Sequence, residues 1–216
     1  MAAAAAGTDY LDRIRKGLST GQLPGYPAQE IMGHALRQEY SQAPDTARSA
    51  SVLALIYPVR DEMKLLFIQR TSPPGDRHGG QISFPGGAAD ASDVSPAATA
   101  LREAHEEVGI DPDAVELIGE LTPLYIPISN YLVNPFVGYL PHRPTLVPQA
   151  SEVERILELP LAGFFANDAV AFHDKRLFNG MILKEVPHWV VAGEAVWGAT
   201  AMIVGELVEL GRRPTG

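Results

Sequence analysis

Two short apolar runs, residues 51–57 and 64–70, flank Pro58 and the charged Arg60-Asp61-Glu62, and this spacing constrains the chain's fold more than any other feature. Strand-length runs separated by a breaker and a charged turn predict a β-hairpin, and with it the start of a sheet. Further strands are expected at 115–121, 131–139, 153–159 and 188–192. Between the hairpin and the third strand, residues 71–87 carry three Pro and five Gly, which makes loop. This loop leads to Ser95-Pro96 at the start of a helix. Apolar positions 97, 101, 104 and 108 mark its buried stripe, and Gly109 followed by Asp111-Pro112 ends it. A last helix is expected over about 196–210. Strands with one early and one late helix imply an α/β sandwich built on a mixed sheet.

With 216 residues and 46% hydrophobic composition, the chain buries one core, so a single catalytic module is expected. Residues 1–49 are expected to be an N-terminal extension with a short helix over 8–18, capped by Thr8, with Leu11, Ile14 and Leu18 on one stripe. Lys+Arg 17 against Asp+Glu 26, net −9, offers no electrostatic footprint for a nucleic-acid backbone, so no nucleic-acid partner is expected. Cysteine is absent, which removes disulfides, thiolate metal sites and a thiol nucleophile, and leaves carboxylates and histidines as metal ligands. No window holds the roughly 18 uncharged apolar residues of a membrane span, and Met1 to Gly7 lacks a basic, then apolar leader. A cytoplasmic protein without membrane association is expected, and a homodimer is left open.

The segment Arg102-Glu103-Ala104-His105-Glu106-Glu107-Val108-Gly109-Ile110 carries the chemistry. At about 100° per residue, Glu103, Glu106 and Glu107 fall in one sector of roughly 100°, opposite the apolar stripe. Three stacked carboxylates repel one another and add nothing to helix stability, but they make a hard oxygen surface suited to Mg²⁺ or Mn²⁺. Arg102 reaches Glu106 one turn on, or an acid in the preceding loop, and so fixes a carboxylate rotamer. An isolated E-x-x-E-E string is usually a solvated helix face. Here Phe84-Pro85-Gly86-Gly87 lies just upstream, and its glycines let backbone groups approach a ligand closely.

Together these residues resemble the Nudix box, G-x5-E-x7-R-E-U-x-E-E-x-G-U with U apolar, matched from Gly87 to Ile110. The second half is complete. In the first half Asp93 stands for the early Glu, and eight residues rather than seven separate it from Arg102. The resemblance implies a Nudix-type α/β/α sandwich over residues 50–212, with Glu103, Glu106 and Glu107 as ligands of Mg²⁺ or Mn²⁺ and the Gly87 carbonyl as a further one. It implies hydrolysis of a small-molecule substrate, a nucleoside diphosphate linked to another group.

Leu65-Leu66-Phe67-Ile68-Gln69-Arg70-Thr71 and His78-Gly79-Gly80-Gln81-Ile82-Ser83-Phe84-Pro85-Gly86-Gly87 are similar to the signature of the family's coenzyme A branch. Arg77 lies three residues before Gly80 rather than four, and Thr71 replaces a smaller residue. In that branch the diphosphate of coenzyme A and its thioesters is cleaved to 3′,5′-ADP and 4′-phosphopantetheine or its acyl form. Arg70, Arg77 and His78, with Gly86, are the expected substrate-binding residues, as donors to the diphosphate or to a 3′-phosphate. The base that takes the water's proton is Glu103 or, by family analogy, a later acid such as Glu152, with Glu154 its nearest competitor. Two alternatives stay open: a diphosphatase for ADP-ribose, dinucleotide cofactors or oxidised nucleotides, and a non-catalytic ligand sensor on the same fold.

Overall fold

The structure, a computed structural model, describes residues 2–34, 42–72, 79–176 and 180–214. Strands β1 (Arg48–Val59) and β2 (Glu62–Arg70) form the expected hairpin, with Val59 opposite Glu62, so that only Arg60 and Asp61 turn. Arg60 takes φ 54, the left-handed conformation that matches a two-residue turn to the twist of its strands. Pro58 falls beyond the last β1 residue paired on the other side, Ile56, where its missing N–H costs no ladder bond there.

After β3 (Ile82–Ser83) and β4 (Gly86–Ala88) comes helix α3 (Pro96–Val108). The Ser95 hydroxyl accepts from the Ala98 N–H, Pro96 occupies the first turn, and Gly109 closes the helix at φ 74. Strands β5 (Glu116–Glu120), β6 (Leu124–Ile126), β7 (Tyr131–Tyr139) and β8 (Val153–Pro160) complete the main sheet. Its central path is β3-β2-β1-β7-β5, with β4 on β1, β6 on β7 and β8 on β2. Among the described residues only the β1–β7 pair is parallel, which makes the sheet mixed. A second sheet holds β9 (Val170–Arg176), β10 (Ile182–Val191) and β11 (Glu194–Trp197) in the order β11-β10-β9. The chain ends in helix α4 (Gly198–Arg212); Val196 and Trp197, expected in that helix, belong to β11.

Residues 53 to 57 of β1 are all fully buried, as befits a strand covered on both faces. Leu53, Leu55 and Tyr57 pack with Ala100, Ala104 and Val108 of α3, whereas Ala54 and Ile56 join the second core with Leu207 and Leu210 of α4. The result is the expected layering, helix on sheet on helix.

At the N-terminus α1 runs Ala2–Ser19, longer than the expected 8–18, so Thr8 lies inside it and not at its cap. Leu11, Ile14 and Leu18 do form its buried stripe, and they enter the same core as α4. Gly17 sits against Leu210, and the Gly211 backbone lies beside Ile14 and Phe165. A short helix α2 (Tyr26–Glu30) follows. The buried Glu206 of α4 accepts hydrogen bonds from the Gly25 and Thr122 N–H groups, the Gln29 amide and the Thr122 hydroxyl, at 2.7–3.0 Å. These four donors satisfy the carboxylate and tie α2 to α4. Ile14→Ala is expected to lower stability by about 3 kcal/mol in a urea titration, since it opens a cavity in a closed core. A loss below about 1 kcal/mol would show that α1 is not part of that core. No helix among the described residues is long and apolar enough to cross a membrane.

Candidate active site

Strand β4 pairs antiparallel with β1, Gly86 opposite Val52 and Gly87 opposite Ser51, and this sets the two glycines against the carboxylate side of α3. Gly86 takes φ 154, and a Cβ there would collide with the Ser51 carbonyl and the Val52 backbone. A Cβ on Gly87 would instead collide with the carboxylate of Glu103. The turn is therefore glycine for two reasons, one in the sheet and one in the site.

Glu107 departs from expectation. Helical spacing puts it opposite the apolar stripe, but it is only 1% exposed, beside Ala104 and Val108 on the buried side of α3. The buried stripe is rotated towards it, leaving Ala97 and Leu101 at the margin. The Gly86 N–H donates to its carboxylate at 2.8 Å, and Arg70 Nη1 stands 3.5 Å away. Burial pushes the Glu107 carboxyl up to about 7, against the pull of Gly86 and Arg70 and with the help of Glu103 and Glu152. Glu103 is half-buried, and its carboxyl is raised by burial, partly offset by Arg102, with Glu106 and Glu152 adding to the rise. Glu106 is exposed.

Arg102 binds these groups together. Its Nη1 donates to Glu103 at 2.8 Å and to Glu106 at 3.1 Å, its Nε and Nη2 grip both oxygens of Asp93 at 2.9 Å, and Nη2 also reaches the Ala88 carbonyl at 3.0 Å. Asp93 accepts further bonds from the Thr99 hydroxyl and the Asp90 N–H, so its carboxyl is held well below the usual range, chiefly by Arg102. Eight residues separate Asp93 from Arg102, of which Val94 and Ser95 precede the helix, and the Asp93–Arg102 contact closes across them. Asp93 thus anchors Arg102, and both expected partners of Arg102, the helix acid and the loop acid, are engaged at once.

Glu152 comes from the loop before β8. That loop docks on the end of α3, where Val147 N–H bonds the Val108 carbonyl and Gln149 N–H the Glu107 carbonyl, satisfying groups the helix leaves open. Glu152 N–H then bonds Gln149, and its carbonyl accepts from Thr71. Its charge is felt at both Glu103 and Glu107, whereas that of Glu154 is felt at Arg155.

Gly86, Gly87 and Arg70 line a cleft of about 770 Å³, within the range of small-molecule sites. Arg70 Nε is buried and has no hydrogen-bond partner among the described residues. Arg77 and His78 lie outside the described residues. The sequence reading missed Tyr131, Lys175, Arg176 and Trp197, which line the same cleft from β7 and the second sheet. Lys175 and Arg176 lie on β9 and Trp197 on β11, and no motif in the sequence marks any of the three.

Among the described residues no three acidic or imidazole side chains stand converged as a ready cation cage, and Arg102 occupies the space between Glu103 and Glu106. The donor set nevertheless fits a hard divalent cation. It is all oxygen, its carboxylates raise one another's affinity for protons, and Glu107 is a buried acid with only a long contact to a cation. Arg102→Ala is expected to lower kcat/KM about tenfold and to weaken the apparent affinity for metal, because it positions carboxylates from outside the donor set. A loss equal to that of a carboxylate variant at every metal concentration would contradict this secondary part.

A mixed-sheet sandwich whose helix carries acids against a glycine turn is the arrangement expected of a hydrolase of the Nudix kind. The NUDIX domain model matches residues 47–171. A protein of Klebsiella pneumoniae (strain 342) called Uncharacterized Nudix hydrolase NudL is 38% identical over 185 residues, covering 83% of this chain and 91% of that one. Its namesake in Escherichia coli (strain K12 / DH10B) is 39% identical over 184 residues, with 83% and 91% covered. Among solved structures, a MutT/nudix family protein from Enterococcus faecalis has a TM-score of 0.50 at 14% identity, covering 80% of this chain and 64% of that one, which shows the fold alone. The chain belongs to the Nudix hydrolase family. Enzymes of this family generally use divalent metal ions.

Proposed function

We propose that this Nudix hydrolase cleaves the diphosphate of coenzyme A and its thioesters, releasing 3′,5′-ADP and 4′-phosphopantetheine or its acyl form. The observation that carries this reading is the position of the upstream signature. Arg70, Gly79, Gly80, Gln81 and the glycines 86 and 87 line the cleft, and three of them touch the helix acids behind it: Gly86 N–H bonds Glu107, Arg70 stands beside Glu107, and Gly87 lies against Glu103.

In this reading Glu103, Glu106 and Glu107 hold Mg²⁺ or Mn²⁺ with the Gly87 carbonyl. When bound, the cation neutralises charge developing on the phosphate and lowers the pKa of the attacking water. The chain's own groups do the rest. Arg70, whose Nη1 stands 3.5 Å from Glu107 and which lines the cleft, donates to the diphosphate. Gly86 N–H fixes the Glu107 rotamer, and Arg102 fixes those of Glu103 and Glu106. A water oxygen bonds one phosphorus as the bridging P–O bond breaks, and the proton goes to a carboxylate. Glu152 is the favoured acceptor, since no cation pairs with it among the described residues while Glu103 is engaged by Arg102.

Purified protein incubated with coenzyme A and Mg²⁺ or Mn²⁺ is expected to yield 3′,5′-ADP and 4′-phosphopantetheine by chromatography. ADP-ribose turned over with a higher kcat/KM than coenzyme A would move the protein to another substrate class. Failure to hydrolyse any nucleoside diphosphate would leave ligand sensing.

A further inference from the structure

The second sheet, most of it beyond the residues that match the family model, supplies one wall of the cleft. On that wall Lys175 is half-buried, and its ammonium lies 4.4 Å from the centroid of the Trp197 ring. Asp174, the adjacent acid, is paired instead with Lys184. Among the described residues no carboxylate lies within ion-pair reach of Lys175, and burial lowers its pKa below the ordinary lysine value. A lysine on the edge strand of a sheet ordinarily extends its ammonium into water. Here the ammonium is partly withdrawn from water with only a ring face to compensate, an arrangement that favours an incoming anion. Arg176 lines the same cleft and adds a second cation.

Arg70 stands on the main sheet beside Glu107, at the glycine turn that borders the carboxylates. Lys175 stands on the other sheet. A ligand spanning the cleft therefore meets two separate cationic groups, one next to the carboxylates and one apart from them.

We propose that Lys175 binds a phosphate monoester carried on the nucleoside half of the substrate, and that Trp197 holds its ammonium in place for that contact. The proposal rests on the coenzyme A reading, whose 3′-phosphate is such a group, but it is tested separately. Lys175 makes the ligand contact, and Trp197 is a positioning residue.

The test compares coenzyme A with dephospho-coenzyme A, and adenosine 3′,5′-bisphosphate with adenosine 5′-monophosphate. Wild type, Lys175→Gln, Lys175→Arg and Trp197→Leu are each used as full chains. In wild type the phosphorylated member of each pair is expected to be preferred. In Lys175→Gln the ratio of the two kcat/KM values falls about tenfold or more, mostly through KM, and the ratio of the two dissociation constants by calorimetry falls with it. Lys175→Arg keeps most of the preference, and Trp197→Leu loses part of it. A merely structural part for either residue would depress both members of a pair equally and leave the ratio alone. An unchanged ratio in Lys175→Gln overturns the proposal even if coenzyme A is cleaved. Lys175-dependent binding of adenosine 3′,5′-bisphosphate without cleavage of coenzyme A sinks the substrate reading and sustains the subsite.

Discussion

Glu107→Gln is expected to give a folded protein whose kcat is at least about 100-fold below wild type at saturating metal. The fold survives because the amide oxygen still accepts from Gly86 N–H, and because burial already pushes the native carboxyl up to about 7, so a neutral group suits the site. The chemistry does not survive, because the substitution removes the anionic oxygens that the proposed cation needs at the most enclosed of the three helix carboxylates. Circular dichroism and thermal melting in EDTA measure the first half, and single-turnover kinetics across a metal titration the second. A kcat within about threefold of wild type would remove Glu107 from the metal site.

Gly86→Ala is expected to cost more than about 4 kcal/mol or to prevent folding altogether. Its new methyl group meets backbone atoms of Ser51 and Val52 in the central strand β1, which has no room to give, and φ 154 is strained for any L side chain. Gly87→Ala is the informative contrast. Its methyl meets the far end of Glu103, a flexible side chain, so the protein folds while its carboxylate is displaced and its turnover falls. A urea midpoint for Gly86→Ala within about 1 kcal/mol of wild type would mean that the glycine turn is not docked on β1 as described.

What the sequence disclosed followed the strength of its local signals. The hairpin was legible because Arg60-Asp61 interrupts two apolar runs, and α3 because Ser95-Pro96 and Gly109 mark its ends. Strands β3, β4 and β6, of two or three residues, are too short to display a period of two. The start of α4 was misplaced because Val196 and Trp197 are as apolar as the helix that follows, so no change of pattern marks Gly198.

In the site, a helical wheel put three acids in one sector, but it could not show that β4 would cover Glu107 and offer it an N–H. The added residue between Asp93 and Arg102 departs from the motif's spacing, yet the two side chains meet, because Val94 and Ser95 lie ahead of the helix and need keep no helical register. Lys175 and Trp197, 22 positions apart, meet only through β10, and no local pattern reports a neighbour across a sheet.

The pairing of the first and last helices bears on how the chain is made. Leu11, Ile14 and Leu18 are synthesised long before the face of α4 that buries them. Until then one side of the sheet stays uncovered, and the nascent chain exposes the apolar surface that chaperones hold and proteases exploit. A chain stopped short of α4 is therefore expected to be cleared by quality control, not to persist as a slower enzyme.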